Sequence, residues 1–418
     1  MSVWRRWRTS FFLILAVLGP GFITANVDND SGGIFTYSQA GAQYGYKLLW
    51  SMIPITIALI VVQEMCARMG VVTGKGLSDL IREEFGLRMT FFLMLLLVLV
   101  NFGNVVAEFS GIAETTRLWS DRAIYITVPV CTLLVWLLVV RGDYKFVEKI
   151  FLIASGFYIC YMIAGVLAHP DWHEALVETV KVPGRGVWSD HSYVYMVVGV
   201  VGTTISPWMQ FYMQSSIVEK GVNIKQYAAS RMDVIVGSIF SDIVAWFIIV
   251  ACAATLWTHG IRNINSGADA AQAMKPLAGE FAAILFAGGL FIASFFAASV
   301  LPISTAYSVC EGLGFESGVD KKFRQAPFFY WLFTLLIVAG AAVVLIPHFP
   351  YVKMIILSQV LNGVLLPFVL YFMLRLINNK ELMGKHTNSH WFNFIAWATT
   401  VIVVGLSVVL MWQQIRGG

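Results

Sequence analysis

Asn26-Val-Asp-Asn-Asp-Ser-Gly-Gly33 is a polar stretch inside an otherwise apolar run that begins near residue 11. Asp28 and Asp30 fall where a membrane span of that length would have its middle. A charged side chain at that depth costs roughly 2.5–3.5 kcal/mol on insertion scales, and the glycine pair that follows is a poor helix former. Unwound backbone is tolerated there only where it is buried or lines a cavity. The stretch therefore predicts a transmembrane helix that opens in mid-membrane and directs carboxylate and backbone oxygens at a cation.

The composition of the 418-residue chain indicates an all-α polytopic membrane protein. Apolar residues make up 58% and charged residues 12% of it, whereas a soluble domain of this size is about a quarter charged. Apolar windows near bilayer length predict about eleven transmembrane helices. The predicted spans are 11–38, 49–70, 88–116, 124–140, 149–168, 192–217, 232–257, 278–308, 328–346, 352–377 and 392–413.

The basic residues predict the orientation of these spans and exclude one class of partner. With a cytoplasmic N-terminus, most of the 28 Lys and Arg residues fall in cytoplasmic loops or at cytoplasmic span ends, as the positive-inside rule requires. We therefore expect a multi-pass protein of the cell membrane, in contact with the lipid bilayer. The net charge of +4 gives no argument for nucleic-acid binding. The five cysteines are single, without a CxxC pair, so we expect neither disulfides nor a zinc site.

Span six carries a second interruption, Gly199-Val-Val-Gly-Thr-Thr-Ile-Ser-Pro-Trp-Met-Gln-Phe-Tyr212. Pro207 lacks a backbone donor and clashes with the carbonyl of Thr203, four residues earlier, which predicts a Thr203 oxygen outside the helical ladder. Two broken spans at corresponding positions of two five-helix halves indicate an inverted-repeat transporter with its site at the midplane. We expect one transporter domain over residues 1–418, with repeats over 11–168 and 192–377 and an additional helix over 392–413.

Several of these segments are similar to one known family. The first span of this chain resembles that of the Nramp divalent-metal transporters at Gly19-Pro-Gly-Phe22, at Asp30 and at Ala40-Gly-Ala-Gln-Tyr-Gly-Tyr-Lys-Leu-Leu-Trp50. Later segments also resemble that family, namely Ala67–Lys75, Leu80–Glu83, Ala107-Glu108, Ser358-Gln359 and Leu366-Pro-Phe368. The resemblance implies the inverted-repeat fold shared with sodium-coupled amino-acid symporters, with discontinuous helices 1 and 6. It also implies a metal site between those two helices.

Two motifs depart from the family's usual pattern. Where the family has Asp-Pro-Gly-Asn, this chain has Asp30-Ser-Gly-Gly33, so that a glycine replaces an asparagine ligand. Where the family has Ala-x-x-Met-Pro-His, this chain has Thr203-Thr-Ile-Ser-Pro-Trp208, without the methionine sulfur and the histidine implicated in proton transfer. The pattern resembles the Nramp-related magnesium transporters, a branch that lacks the transition-metal signature.

The substitutions predict which ion is bound. A thioether favours soft ions such as Cd²⁺, whereas carboxylate, hydroxyl, carbonyl and water oxygens suit Mg²⁺, Ca²⁺ or Mn²⁺. We expect partly hydrated Mg²⁺, with Mn²⁺ as a second substrate, and Asp30 as its principal ligand. The other candidate metal-binding residues are Gly33, Thr203, Ser206, Asp28 and Gln359.

Each secondary candidate also has a plain structural explanation. Asp28 could accept backbone donors at a cavity wall, and Gly33 could simply break the helix. The Thr203 and Ser206 hydroxyls could bond back to helix carbonyls, as is common in membrane helices. Glu108 and Asp242 are intramembrane acids, hence functional candidates by default; Glu108 is a candidate proton relay. Trp208 is a candidate gating residue, with packing as the simpler explanation.

Transport without proton coupling is the leading functional prediction, since the seven histidines fall in loops or at span ends and His is the side chain that titrates most easily near neutral pH. The main alternative is a proton-coupled Mn²⁺/Fe²⁺ importer. A sodium-coupled amino-acid symporter would not need two aspartates at the break, and a metal sensor would usually carry an output domain. The sequence has no HExxH motif and no nucleophile–base pair at membrane depth, so we expect neither an enzyme nor a bound cofactor, with metal ions as substrate alone.

Overall fold

The fold is a bundle of long apolar helices around two broken ones. The computed structural model describes residues 20–27, 29–141, 158–319 and 321–415. The helices, numbered in chain order, are α1 (Pro20–Val27), α2 (Ser31–Tyr44), α3 (Met52–Thr73), α4 (Leu77–Phe85), α5 (Leu87–Arg117), α6 (Ile124–Arg141), α7 (Ile159–Leu167), α8 (Trp172–Val180), α9 (His191–Thr204), α10 (Pro207–Glu219), α11 (Tyr227–Cys252), α12 (Ala282–Leu313), α13 (Pro327–Val344), α14 (Tyr351–Ile377) and α15 (His390–Ile415).

Short helical turns join several of these elements. The α-helical ones are Gly267–Ala271, Lys275–Ala278 and Lys380–Met383, the 3₁₀ turns are Gly45–Ser51, Asp121–Ala123, Arg185–Ser189, Gln272–Met274, Gly279–Phe281 and Gly384–His386, and Ala253–Trp257 is a π-helical turn. Within the described ranges, nine segments are long and apolar enough to cross a membrane.

The predicted spans agree with these helices within a few residues where the structure describes them. The predicted spans 11–38 and 149–168 are described only from residues 20 and 158 onward. Two amphipathic helices, α4 and α8, lie in segments that we expected to be loops, because they are too short and too polar for a span-length apolar window. Pro207 begins a new helix within span six. By contrast, Pro129, Pro302 and Pro367 lie inside helices that continue past them.

Burial separates a central from a peripheral set of helices. Nearly every residue of α2, α9 and α10 is buried, whereas α6 and α15 expose large apolar side chains, such as Ile126 at 70% and Val401 at 65%. Helices α5, α9, α11 and α14 pack around the broken first helix. Exposed apolar surface of this extent is what a lipid-facing helix presents, so the broken helices form the core of the bundle.

Arg68, one of the basic residues counted for the orientation, is buried and makes structural contacts. Its guanidinium is 10% exposed and pairs with Glu64 one turn earlier on α3, at 2.8 Å. It also donates to the carbonyls of His386 and Thr387, both at 3.1 Å, and to the side chain of Asn388 at 2.6 Å. The buried charge therefore ties α3 to the connection that precedes α15, and the Tyr227 hydroxyl adds a bond to Glu64 from α11.

Candidate functional site

The first break lies between α1 and α2, and Asp30 is its central residue. Asp30 is the N-cap of α2, with extended backbone, and its Oδ1 accepts the Gly33 N–H at 2.9 Å. This is the ordinary way in which an aspartate satisfies the free donors at a helix start. The side chain is 6% exposed. A capping bond uses one acceptor of one oxygen, so the carboxylate keeps capacity for a further ligand.

Glu108 on α5 brings a second carboxyl group to the same break. It is fully buried, and its Oε2 accepts the Ser31 N–H at 3.3 Å. The Glu108 and Asp30 carboxyl groups are close enough to interact electrostatically, since one accepts the Ser31 N–H and the other the Gly33 N–H at the same break. Glu108 Oε1 has no hydrogen-bond partner among the described residues. Two ionised carboxylates at this separation repel strongly, so the pair needs a shared proton or a bound cation.

The Gln359 side chain on α14 reaches the first break because Gly32 has no side chain in its way. A Cβ at Gly32 would overlap the Gln359 side-chain amide, so that only glycine admits this approach. Asn362 donates to Gln359 Oε1 at 2.9 Å and exchanges hydrogen bonds of 3.0 Å with Asn104 on α5. The amide network fixes the Gln359 side chain beside Asp30 and leaves an acceptor position on its oxygen.

The second break, between α9 and α10, is closed by its own polar groups. Ser206 is the N-cap of α10, with Pro207 as the first helical residue, a position that suits proline because its missing donor would be unpaired anyway. The Ser206 hydroxyl donates to the carbonyls of Gly202, at 2.8 Å, and Thr203, at 3.0 Å. The Thr203 carbonyl oxygen is thus outside the backbone hydrogen bonds of the helix, as predicted, but it accepts a hydrogen bond from the Ser206 hydroxyl.

Thr203 and Ser206 do not share a helical face, because the α-helix ends at Thr204 and the chain is extended at Ser206. What joins the two residues is the hydroxyl–carbonyl bond across the break. Both are buried, at 1% and 2% exposure. Their hydroxyl oxygens can still accept a hydrogen bond from water or contact an ion.

Two tight contacts connect the second break to the first. A Cβ at Gly202 would overlap the Gln359 carbonyl and meet Gly363 Cα at 2.9 Å, so α9 and α14 touch backbone to backbone. Tyr37 on α2 and Thr204 share a hydrogen bond of 2.8 Å between their hydroxyl groups. The Gln359 residue therefore spans the interval, with its side chain at the first break and its backbone at the second.

The remaining predicted residues are placed as follows. Gly33 lies in the first turn of α2, where its N–H donates to the capping Asp30 carboxylate. Trp208 is 2% exposed at the start of α10, and its carbonyl accepts the Ser304 hydroxyl at 3.1 Å. Asp28 lies outside the described residues. The structure thus brings Asp30, Gly33 and Gln359 together directly, and links Thr203 and Ser206 to them through Gln359.

Sequence reasoning missed the roles of three residues near the site, two asparagines and a glycine. Asn104 and Asn362 hold Gln359, and Gly32 admits it. Asparagines in apolar spans are expensive unless they pair, which is the signal that could have pointed to the two amides. The described residues contain no group of three or more His, Cys, Asp or Glu side chains placed to hold a metal ion.

Comparison with known proteins identifies the family to which this architecture belongs. The family model described as "Nramp: Natural resistance-associated macrophage protein-like" matches residues 21–413. The chain belongs to the Nramp family. The "Divalent metal cation transporter MntH" of Deinococcus radiodurans is 26% identical over 420 residues, which cover 97% of this chain and 91% of that relative. The MntH protein of a Nostoc species is also 26% identical, over 430 residues, covering 100% and 93%.

A solved structure agrees at the level of the fold. The manganese transporter of Eremococcus coleocola, crystallised with an aromatic bis-isothiourea compound, superposes with a TM-score of 0.79 at 20% identity, covering 96% of this chain and 87% of that one. The all-α polytopic fold class predicted from the sequence, with its resemblance to Nramp proteins, is confirmed. The curated relatives are named transporters, which also confirms that this family is not one of enzymes.

Proposed function

We propose that this Nramp-family protein transports divalent metal cations across the cell membrane by alternating access, with Mg²⁺ preferred and Mn²⁺ as a second substrate. The ion is held partly hydrated between the two breaks, with Asp30 as its principal ligand. Gln359, Thr203, Ser206, Gly33 and Asp28 contribute further oxygens, directly or through retained water.

The observation that carries the proposal is Ser206 at the second break. This position holds the sulfur ligand in the motif that the family usually shows, and here it offers a hydroxyl oxygen bonded to two carbonyls. Carboxylate, amide and hydroxyl oxygens form a hard donor set, which suits Mg²⁺ and Mn²⁺ better than Cd²⁺. The MntH relative from Deinococcus radiodurans and the Eremococcus coleocola manganese transporter support a divalent cation as the substrate class.

Uptake in this proposal is driven by the ion gradient and the membrane potential, without coupling to protons. The potential supplies about 2.3 kcal/mol per charge per 100 mV, and a divalent ion carries two charges. Trp208 occupies the position of the motif's histidine and carries no titratable group. We place the N-terminus in the cytoplasm and propose one transporter domain, with inverted repeats over 11–168 and 192–377 and an extra helix over 392–413.

A proton-coupled Mn²⁺/Fe²⁺ importer is the second candidate, and the Glu108 carboxyl beside Asp30 favours it. A carboxyl group that shares a proton with the principal metal ligand would release that proton when a cation binds. This candidate requires proton flux that rises with the transported metal.

Reconstituted proteoliposomes separate the two candidates. Uptake of Mg²⁺, Ca²⁺, Mn²⁺ and Cd²⁺ is measured under a fixed membrane potential, with internal pH recorded in the same vesicles. The proposal expects uptake of Mg²⁺ and Mn²⁺ without acidification. Acidification in step with metal uptake would favour the second candidate, and the absence of any metal-dependent flux would overturn both.

A further inference from the structure

Helix α11 runs beside both halves of the broken first span, and this fixes the depth of its residues. Asp233 accepts the backbone N–H of Gly21 at 2.8 Å, and Ser241 Oγ accepts the Asn29 side-chain amide at 2.9 Å. Farther along, a Cβ at Gly41 would meet Cys252 Cβ at 2.8 Å. The two segments therefore run in the same direction, and the residue after Ser241 lies at the depth of the first break.

That residue is Asp242, a buried acid that the candidate metal site does not use. Its side chain is 4% exposed. Neither carboxylate oxygen has a hydrogen-bond partner of ordinary geometry in the described part of the chain, and no described cation pairs with it. The Thr56 hydroxyl on α3 lies beside Asp242, but it donates to the Met52 carbonyl at 2.7 Å. An ionised carboxylate without a partner is costly at membrane depth, so Asp242 needs either a proton or a bound cation.

Two further buried oxygens lack partners among the described residues: one on Asn29, which bonds to the residue before Asp242, and one on Ser238, which lies on the same helix as Asp242. Asn29 Oδ1 accepts no hydrogen bond from the described residues, because the Asn29 contact with Ser241 uses the amide nitrogen. Ser238, one turn before Asp242 on α11, has a fully buried hydroxyl that is likewise unpartnered among the described residues. Residues four apart share a helical face. The helix face beside the break thus presents carboxylate and hydroxyl oxygens, and the break itself presents a carboxamide oxygen.

We propose that Asp242, Asn29 and Ser238 bind a monovalent metal cation of the Na⁺ class at a second site, between α11, α3 and the first break. A single positive charge balances the one carboxylate, and the oxygens available are hard ligands that suit such an ion. A proton on Asp242 would neutralise the carboxyl group but would leave the Asn29 and Ser238 oxygens unpaired. Asn29 directly precedes Asp30, so this second site adjoins the first break without using the Asp30 carboxylate.

Sodium binding to the purified, full-length protein tests this inference. Thermal unfolding in detergent is followed across a titration with NaCl, with choline chloride holding ionic strength constant, and radioactive ²²Na⁺ binding is measured in parallel. The wild type is expected to show saturable ²²Na⁺ binding and a rise in unfolding temperature. Asp242→Asn, which keeps the size of the side chain, is expected to weaken the apparent Na⁺ affinity by at least about tenfold, equivalent to about 1.4 kcal/mol.

Asp121→Asn is the matched control, because the Asp121 side chain is 80% exposed at the end of α5, and it should leave Na⁺ binding unchanged. Ser238→Ala provides a milder variant, expected to weaken Na⁺ binding several-fold without introducing a new polar group. A wild type indifferent to Na⁺, as a carboxyl group that simply holds a proton would be, overturns the inference. Equal Na⁺ binding by the wild type and Asp242→Asn overturns it as well.

This second site goes beyond the proposed function and does not depend on which divalent ion is carried. Mg²⁺-dependent stabilisation is measured on the same samples, and Asp242→Asn should retain it. Loss of the Mg²⁺ effect in the wild type would count against the proposed function alone, whereas loss of the Na⁺ effect would count against the second site alone.

Discussion

The two helix breaks differ in what they leave unsatisfied. At the second break, the Ser206 hydroxyl covers the carbonyls of Gly202 and Thr203, and the Gln210 side-chain amide donates to the Ser206 carbonyl at 3.1 Å. At the first break, the Asp30 and Glu108 carboxyl groups face each other, and Glu108 Oε1 lacks a partner among the described residues. We infer that the first break attracts the cation, and that the second break shapes the binding site and determines which ion is preferred.

Replacement of Asp30 should have the largest effect, because it removes the charge that the first break offers. We expect Asp30→Ala to reduce Mg²⁺ uptake in proteoliposomes by at least about a hundredfold, equivalent to about 2.7 kcal/mol of lost ion stabilisation. Asp121→Asn, on the exposed surface, is the control. Undiminished Mg²⁺ uptake by the Asp30 variant would show that the first break is not where the ion binds.

A methyl group at Gly32 should have the next largest effect. A Cβ there would overlap the Gln359 amide, so Gly32→Ala must displace Gln359 from the first break, and we expect uptake to fall about tenfold. Gln359→Ala in the same protein frees the space and should partly restore a stable fold, as measured by thermal unfolding.

Gly405→Ala on α15 is the matched control for Gly32→Ala, because a Cβ at Gly405 meets no atom within 4 Å. If Gly32→Ala and Gly405→Ala behave alike, the close approach of Gln359 to the first break carries no function.

The contribution of the second break can be tested through the ion selectivity of uptake. We expect Gly33→Asn combined with Ser206→Met to shift the ratio of Cd²⁺ to Mg²⁺ uptake by about tenfold in favour of Cd²⁺, because a thioether is a soft ligand. The ratio is measured in one vesicle preparation, so that differences in protein content cancel. A ratio that does not move would mean that the second break has no part in choosing the ion.

Loss of the Ser206 hydroxyl alone should have the smallest effect. Ser206→Ala removes one hydroxyl proton that is shared between two carbonyls at the break, a bond worth about 1 kcal/mol. We expect a lower unfolding temperature, with uptake reduced only several-fold. Ser407→Ala is the control, since the Ser407 hydroxyl has no hydrogen-bond partner in the described ranges. A hundredfold loss of uptake in Ser206→Ala would contradict the division of roles between the breaks.

Local chemistry made the two breaks predictable from the sequence. Asp30 followed by glycines, and Pro207 after Ser206, disrupt a helix through residues within one turn, so the prediction needed no tertiary contacts. The contact between Gly32 and Gln359 could not be predicted, because those residues lie on helices that are distant in sequence. Arg68 shows the same limit, since its acceptors are carbonyls of residues 386 and 387.

The connection between α14 and α15 has a role that its place outside the proposed repeats does not suggest. A buried guanidinium on α3 depends on three acceptors supplied by the connection just before α15. A protein shortened after residue 377 would lose all three and leave an under-solvated positive charge inside the bundle. Truncation after residue 377 would therefore lower the amount of folded protein in the cell, and any change in flux would have to be corrected for that amount.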